Sequence, residues 1–299
     1  MLYSYNWLKD YIKENLSAPK KLETLLAMHA FEVEEVTRAG KDWIFDISVL
    51  PNRAHDTWNH LGMAREVAAI TGQTLVEPEK STLTVKRGTL KPLQTTITAK
   101  ELVTRYAALV IEGIKVRESP KWLKDRLEAV GINSINTIVD VTNYVMLEIG
   151  QPMHAFDYDK IQGHKMLVRK AVKGEELVVL DDSKLSLPEG ALVIEDANGL
   201  IDLAGIKGGK VSGISEETKN IVLQAAAFDS ENIYRTKKQL DYRTQAADMY
   251  AAGLDPNIAE TGLKRAWYLI QQLGGGTLTQ IIDIYPKKTR PTVISLDLE

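Results

Sequence analysis

Apolar positions open the chain at helical spacing. Trp7, Leu8, Tyr11 and Ile12 recur on one helical face, and the pattern restarts after Ser17-Ala18-Pro19, where a serine and a first-turn proline favour a new helix. The period then drops to two. Phe31-Glu32-Val33-Glu34 and Trp43-Ile44-Phe45-Asp46-Ile47-Ser48-Val49 alternate and predict two strands, joined through the turn-like Arg38-Ala39-Gly40-Lys41-Asp42. Pro51-Asn52-Arg53-Ala54-His55-Asp56 reads as a loop. Thr57 reads as the cap of a helix with Leu61, Ala64, Ala68 and Ile70 on its apolar side, and Gly72 as its stop. Residues 1–72 therefore predict a small α/β domain. Periodicity fades among Pro78, Gly88 and Pro92, which places a linker at 73–93.

Residues 94–285 predict a larger mixed domain. Val103 to Val116 reads as a long strand region. Ser119-Pro120 starts a helix through Trp122, Leu123, Leu127 and Val130 that ends at Gly131, and Ile138 to Ile149 forms a further helix. Strand-like runs follow at Met166-Leu167-Val168, Leu177-Val178-Val179-Leu180, Leu192-Val193-Ile194 and Ile221-Val222-Leu223. Helices return over Ser230 to Leu240 and Ile258 to Leu273, the latter closed by Gly274-Gly275-Gly276. Helices toward the ends with strands between them indicate an α+β fold, not a regularly alternating parallel sheet. Residues 286–299, with Thr292 to Glu299 after a Pro- and Lys-rich stretch, read as the start of a further domain.

Composition narrows the chemistry. The chain has 299 residues, 44% of them hydrophobic and 26% charged, and no run approaches the ~18 apolar residues of a membrane span. Its first residues lack the basic cluster and apolar run of a secretory signal, so a cytoplasmic protein with no membrane partner is expected. Zero cysteines removes disulfides, thiolate nucleophiles and cysteine-zinc sites together. A net charge of −3 argues against a surface that coats nucleic acid, so any RNA contact should be local.

The five histidines stand at 29, 55, 60, 154 and 164, and no pair has the i, i+4 spacing that puts two ring nitrogens on one helical face, so no metal site is expected. His29 and His164 read as loop residues, and His55 and His60, flanking Trp58, as a polar cap on the helix that follows. Gly205-Ile206-Lys207-Gly208-Gly209-Lys210 is not a P-loop, because Val211 follows the lysine. Its glycines imply backbone brought close to another group, either a ligand or another strand. The richest stretch is Asn143 to Asp157: an apolar helix ends at Gly150, and the chain turns through Pro152 to present His154 beside Phe156 and Asp157. A histidine there suits substrate orientation or proton transfer, or simply fastens a loop to a helix end.

Asp140-Val141-Thr142-Asn143-Tyr144-Val145-Met146-Leu147-Glu148, followed by Gly150-Gln151-Pro152-Met153-His154-Ala155-Phe156-Asp157, resembles the editing-domain motif of bacterial-type phenylalanyl-tRNA synthetase beta subunits. Three further segments agree in the same order: Leu50 to Ala54 with Leu61 to Glu66, Leu203 to Gly209, and Arg243-Thr244-Gln245-Ala246 before Gly253-Leu254-Asp255-Pro256. The resemblance covers essentially the whole chain, as the N-terminal portion of such a subunit. It implies an alpha-subunit partner that carries amino-acid activation with ATP and Mg, no cofactor in this segment, and a pocket for the acceptor end of tRNA(Phe) that hydrolyses mischarged tyrosyl ester. A second site is useful because a hydrophobic synthetic pocket rejects an added hydroxyl poorly.

Carried over by position, the resemblance assigns substrate-binding roles to His154, Gly208, Thr244 and Ala246, with His154 as the possible orienting or proton-transfer group. The family's pocket glutamate falls on Gln224 and its arginine on Asn133. Gln224 keeps an accepting oxygen without the charge, whereas Asn133 loses both reach and cation. Ala247, Ala251 and Ala252 stand where the family has serine, glutamate and arginine. The inserted oligonucleotide-fold domain common between the two early strands is absent, since Val36 reaches Trp43 through a short turn. No serine, cysteine or lysine in these motifs has an activating base, so direct attack by water is expected, without a protein nucleophile. Two other readings stand beside this one: a non-catalytic scaffold of the same subunit, and a freestanding small-molecule or peptide-binding α+β protein.

Overall fold

The computed structural model describes residues 1–286, 288–289 and 292–297. The chain starts with β1 (Leu2–Ser4), α1 (Tyr5–Lys9), α2 (Pro19–His29), β2 (Glu32–Ala39), β3 (Asp42–Ser48), α3 (Ala54–Thr57) and α4 (His60–Thr71). β1, β3 and β2 form an antiparallel sheet in that order, and β2 runs into β3 through a tight turn at Gly40 with no domain between them. The cap of α4 is Asn59 instead of Thr57: its Oδ1 accepts from the Gly62 N–H, while the Thr57 hydroxyl donates to the Arg53 carbonyl within the preceding turn. Gly72 ends α4 in the left-handed conformation, as its position implies. Residues 73–93 carry no helix or strand.

The second half contains β4 (Gln94–Ile97), β5 (Val103–Glu112), α5 (Lys121–Ala129), α6 (Thr137–Ile149), β6 (Met153–Asp157), β7 (Lys165–Lys170), β8 (Glu176–Val178) and β9 (Lys184–Ser186). After these come β10 (Leu192–Glu195), β11 (Leu200–Leu203), β12 (Lys207–Gly208), β13 (Asn220–Phe228), α7 (Ser230–Leu240), α8 (Gln245–Ala252), α9 (Ile258–Leu273) and β14 (Thr277–Ile284). The architecture is α+β. A four-stranded antiparallel sheet, β14-β5-β13-β6, lies between two cores. Ala107, Leu109, Ile111, Ala155, Leu223 and Ala225 project to one face, against α5, α6, α9 and the N-terminal segment. Tyr106, Ala108, Val110, Phe156, Val222 and Ala226 project to the other, against the mixed sheet β12-β11-β10-β7-β4. Two-residue periodicity decides which core each side chain enters. In the segment read as the start of a further domain, residues 286, 288–289 and 292–297 carry no helix or strand; residues 287, 290, 291, 298 and 299 of it lie outside the described residues.

The N-terminal segment shares the helical core instead of standing apart from it. Trp7 Nε1–H donates to Tyr11 Oη at 2.7 Å, Tyr11 donates to Glu148 Oε1 at 2.7 Å, and Arg265 reaches both Glu148 oxygens at 2.6 and 2.8 Å. The Glu148 carboxylate is 0% exposed and the Arg265 side chain 10%. His60 belongs to this core and is not a polar cap: Nε2 accepts from the Ser4 N–H, Nδ1 lies 3.0 Å from the Leu147 carbonyl, and the ring stacks on Trp7. Removing one partner of a buried pair strands the other charge. Glu148→Ala should therefore cost roughly 3–5 kcal/mol in urea unfolding. Glu148→Leu combined with Arg265→Met should cost clearly less, and equal losses would contradict a role carried by the pairing.

Candidate functional site

α6 ends at Gly150, whose φ of +82° is ordinary for glycine and strained for other residues, and the turn sends the chain back into β6. Gln151, fully buried, secures the turn by donating from Nε2 to the Pro152 and Ala226 carbonyls at 2.8 and 3.0 Å. His154 is consequently a strand residue, not a residue presented on a turn. It pairs with Gln224 across β6 and β13, so both side chains leave the sheet on the face toward β11 and β12. On the opposite sheet Asp202 pairs with Gly208.

Gly208 brings its backbone directly against the His154 ring across the two sheets. A Cβ there would lie 2.3 Å from His154 Cε1 and 2.8 Å from Nε2, so only glycine admits the imidazole. The glycine-rich segment thus brings backbone against another strand and against a cavity at once. That cavity has a volume of about 60 Å³ and is lined by His154, Asp202, Gly208, Gln224, Ala246 and Tyr250, with Pro152, Met153 and residues 205–207 completing it.

Of the expected residues, His154, Gly208, Gln224 and Ala246 share this cavity. Thr244 adjoins it: its hydroxyl donates to the Ile206 carbonyl at 3.0 Å and accepts from the Ala247 N–H, capping α8 and pinning the glycine segment. Asn133 is not brought to it; it sits exposed between α5 and α6 and does not line the cavity. Ala247, Ala251 and Ala252 lie on α8. Asp202, Tyr106 and Tyr250 are the site residues the motifs passed over. Asp202 interrupts the apolar run Leu200-Ile201-Asp202-Leu203-Ala204, which is the one signal that marks it. Among the described residues no group of three or more His, Cys, Asp or Glu is placed to hold a metal ion.

The polar groups here are poorly satisfied. His154 Nε2 is buried with no hydrogen-bond partner, and the Gln224 carbonyl accepts only a long bond of 3.5 Å from the Tyr106 hydroxyl. Burial pushes His154 down to about 4, so its ring is neutral at pH 7. Tyr250 donates to the Pro152 carbonyl at 3.2 Å, which ties α8 to the start of β6.

A residue model of the family described as "B3/4 domain" matches residues 102–275, well over half of the chain. The chain belongs to the B3/4 domain family. It is 40% identical over 259 residues to the phenylalanine–tRNA ligase beta subunit of Bdellovibrio bacteriovorus, covering 86% of this chain and 32% of that protein. It is 43% identical over 248 residues to the same subunit of Geobacter metallireducens, covering 83% and 31%. The chain thus spans about a third of the length of these relatives, and the resemblance read from its motifs is borne out. An N-terminal fragment of the phenylalanyl-tRNA synthetase beta subunit from Pyrococcus horikoshii superposes with a TM-score of 0.46 at 16% identity, over 98% of this chain and 80% of that one. No helix among the described residues of this B3/4 chain is long and apolar enough to cross a membrane.

His60, fully buried, and His154, half-buried with its Nε2 shielded from water, give the B3/4 chain a defined acid response. His60, lowered to about 3 by burial, and His154, lowered to about 4, both stay neutral in the folded chain, whereas unfolded histidine titrates near ~6.5. The unfolded state takes up protons first as pH falls, so their contribution is present above ~6.5 and lost progressively toward pH 4. Thermal midpoints should fall over that window, and His154→Asn should flatten the decline. An unchanged slope would contradict a His154 that stays neutral in the folded chain.

Proposed function

We propose that this chain is the editing-type portion of a cytoplasmic phenylalanine–tRNA ligase beta subunit. Its cavity would take the acceptor end of a mischarged tRNA(Phe) and hydrolyse the tyrosyl ester. The observation that carries this reading is the pairing of His154 with Gln224 across from Gly208, which puts an unpartnered imidazole nitrogen and an amide in one recess. Convergence of polar groups from β6, β12, β13 and α8 is what a binding site requires, and core residues without a role have no reason to share a concavity.

Hydrolysis would proceed by water. The oxygen of water attacks the ester carbonyl carbon, the bond to the ribose oxygen breaks, and a water proton passes to that departing oxygen, which leaves as the ribose hydroxyl, giving free tyrosine and tRNA. No serine, threonine or cysteine lines the recess. Lys207 lies 3.3 Å from Asp181, so its ammonium is engaged outside it. Burial keeps His154 neutral, so its open Nε2 can accept a hydrogen bond from the attacking water and orient it, while the same burial makes it a weak base near pH 7. The cavity is smaller than the ~300–1,000 Å³ of a formed ligand pocket, so the ester would enter by displacing the half-buried Met153 and Lys207 at its rim. Amino-acid activation would belong to the alpha-subunit partner.

A second reading, a non-catalytic scaffold that supports the alpha subunit, is favoured by the small recess and by Asn133 lying away from it. Deacylation of tyrosyl-tRNA(Phe) by the assembled alpha–beta enzyme separates the two. The editing reading expects hydrolysis faster than that of phenylalanyl-tRNA, and a loss on the order of 10²-fold in His154→Ala, the size of a lost orientation of the attacking water. Hydrolysis at the enzyme-free background rate would leave the scaffold.

A further inference from the structure

The carboxyl of Asp202 has no place in a stabilising network. The residue is 3% exposed, it lines the recess, and among the described residues its carboxyl makes no hydrogen bond or ion pair. A buried carboxyl without partners is costly, and a protein that keeps one in a core strand needs it for something other than stability. The register shows where it points. Asp202 pairs with Gly208, Gly208 abuts the His154 ring, and His154 pairs with Gln224, so one row of residues crosses both sheets. Paired residues share a face, which directs Asp202 into the same recess as His154 and Gln224.

We propose that Asp202 is the acidic recognition group of this site, accepting a hydrogen bond from the hydroxyl of a tyrosyl-type aminoacyl side chain and so supplying from β11 the carboxylate that Gln224 lacks. This rests on the editing reading for the kind of ligand, but concerns selectivity of binding, not hydrolysis. Gln224 offers only a neutral acceptor already turned toward Tyr106. A carboxylate forms a bond to a hydroxyl roughly twice as strong as a neutral acceptor does. Burial without a partner raises Asp202 well above the usual carboxylate range and favours its protonated form, whereas a phenol donating to it favours the charged form, so ligand binding and ionisation of the carboxyl are coupled. A phenol entering the recess would give the carboxyl the partner it lacks.

Binding of two non-hydrolysable analogues to the 299-residue chain tests this: adenosine carrying a 3′-tyrosylamino group and its 3′-phenylalanylamino counterpart, compared by calorimetry. The wild type should prefer the tyrosyl analogue about fivefold or more, the ratio that separates charge-assisted from neutral bonds. Asp202→Asn, nearly isosteric, should bring the ratio to about one without lowering the thermal midpoint, because it removes an unpartnered carboxyl. Asp202→Asn combined with Gln224→Glu should restore the preference by returning the carboxylate to β13. A wild-type ratio near one, an Asp202→Asn ratio equal to wild type, or a lowered midpoint in Asp202→Asn with selectivity unchanged would overturn the proposal. Selective binding in the chain without tyrosyl-tRNA hydrolysis by the assembled enzyme would sink the editing reading and leave Asp202's role intact. Hydrolysis that is as selective in Asp202→Asn as in wild type would do the reverse.

Discussion

Glu148 and Arg265, buried together and joined to Tyr11 and Trp7, fix the C-terminal turn of α6 against α9 and the N-terminal helix. Everything that forms the recess follows from where that turn stops. Two residues after Glu148 the chain reverses at Gly150, and Gln151 then ties it to the Ala226 carbonyl, which sets β6 in register with β13. A shift of that register by one residue would send His154 into the helical core and Ala155 into the recess. The ion pair's contribution is therefore positional as well as energetic, since a buried pair is by itself weak support for stability.

The recess is a polar exception in a sheet buried on both faces. β13 reads Asn220-Ile221-Val222-Leu223-Gln224-Ala225-Ala226-Ala227-Phe228, and Gln224 is the polar residue in its apolar centre. Facing it across the sheet interface are the glycine that makes room for His154 and a carboxyl with no partner. Each unsatisfied group costs stability, so the fold around it must supply a surplus, and the two apolar cores on either side of the central sheet are large enough to do so. The unsatisfied polar groups and the proposed site occupy the same few residues.

Much of this was legible beforehand, for identifiable reasons. Long periodic elements such as α6, α9 and β5 read correctly because amphipathic spacing and buried alternation survive without context. β11, β12 and α8 did not, because they are short, and their residues are held by partners distant in sequence such as Leu180 with Gly208 and Thr244 with Ile206. His60 reads as a surface cap from its neighbours and is a core residue, because Trp7 and Leu147 cover it from far along the chain. The convergence of His154, Gly208, Gln224 and Ala246 was readable through motif resemblance, while Asp202, outside the motif's assigned positions, needed the pairing with Gly208 to be seen.

The central claim is that this recess, and no other surface, receives the aminoacyl end of a ligand. A crystal structure of the chain soaked with 3′-tyrosylamino-adenosine tests it most directly. The account predicts the phenol oxygen within about 3.2 Å of the Asp202 carboxyl or the Gln224 amide. It also predicts the aminoacyl amide beside His154 and Gly208, with Met153 and Lys207 displaced at the rim. A ligand seated elsewhere, while the recess keeps its small unbound shape, would contradict it.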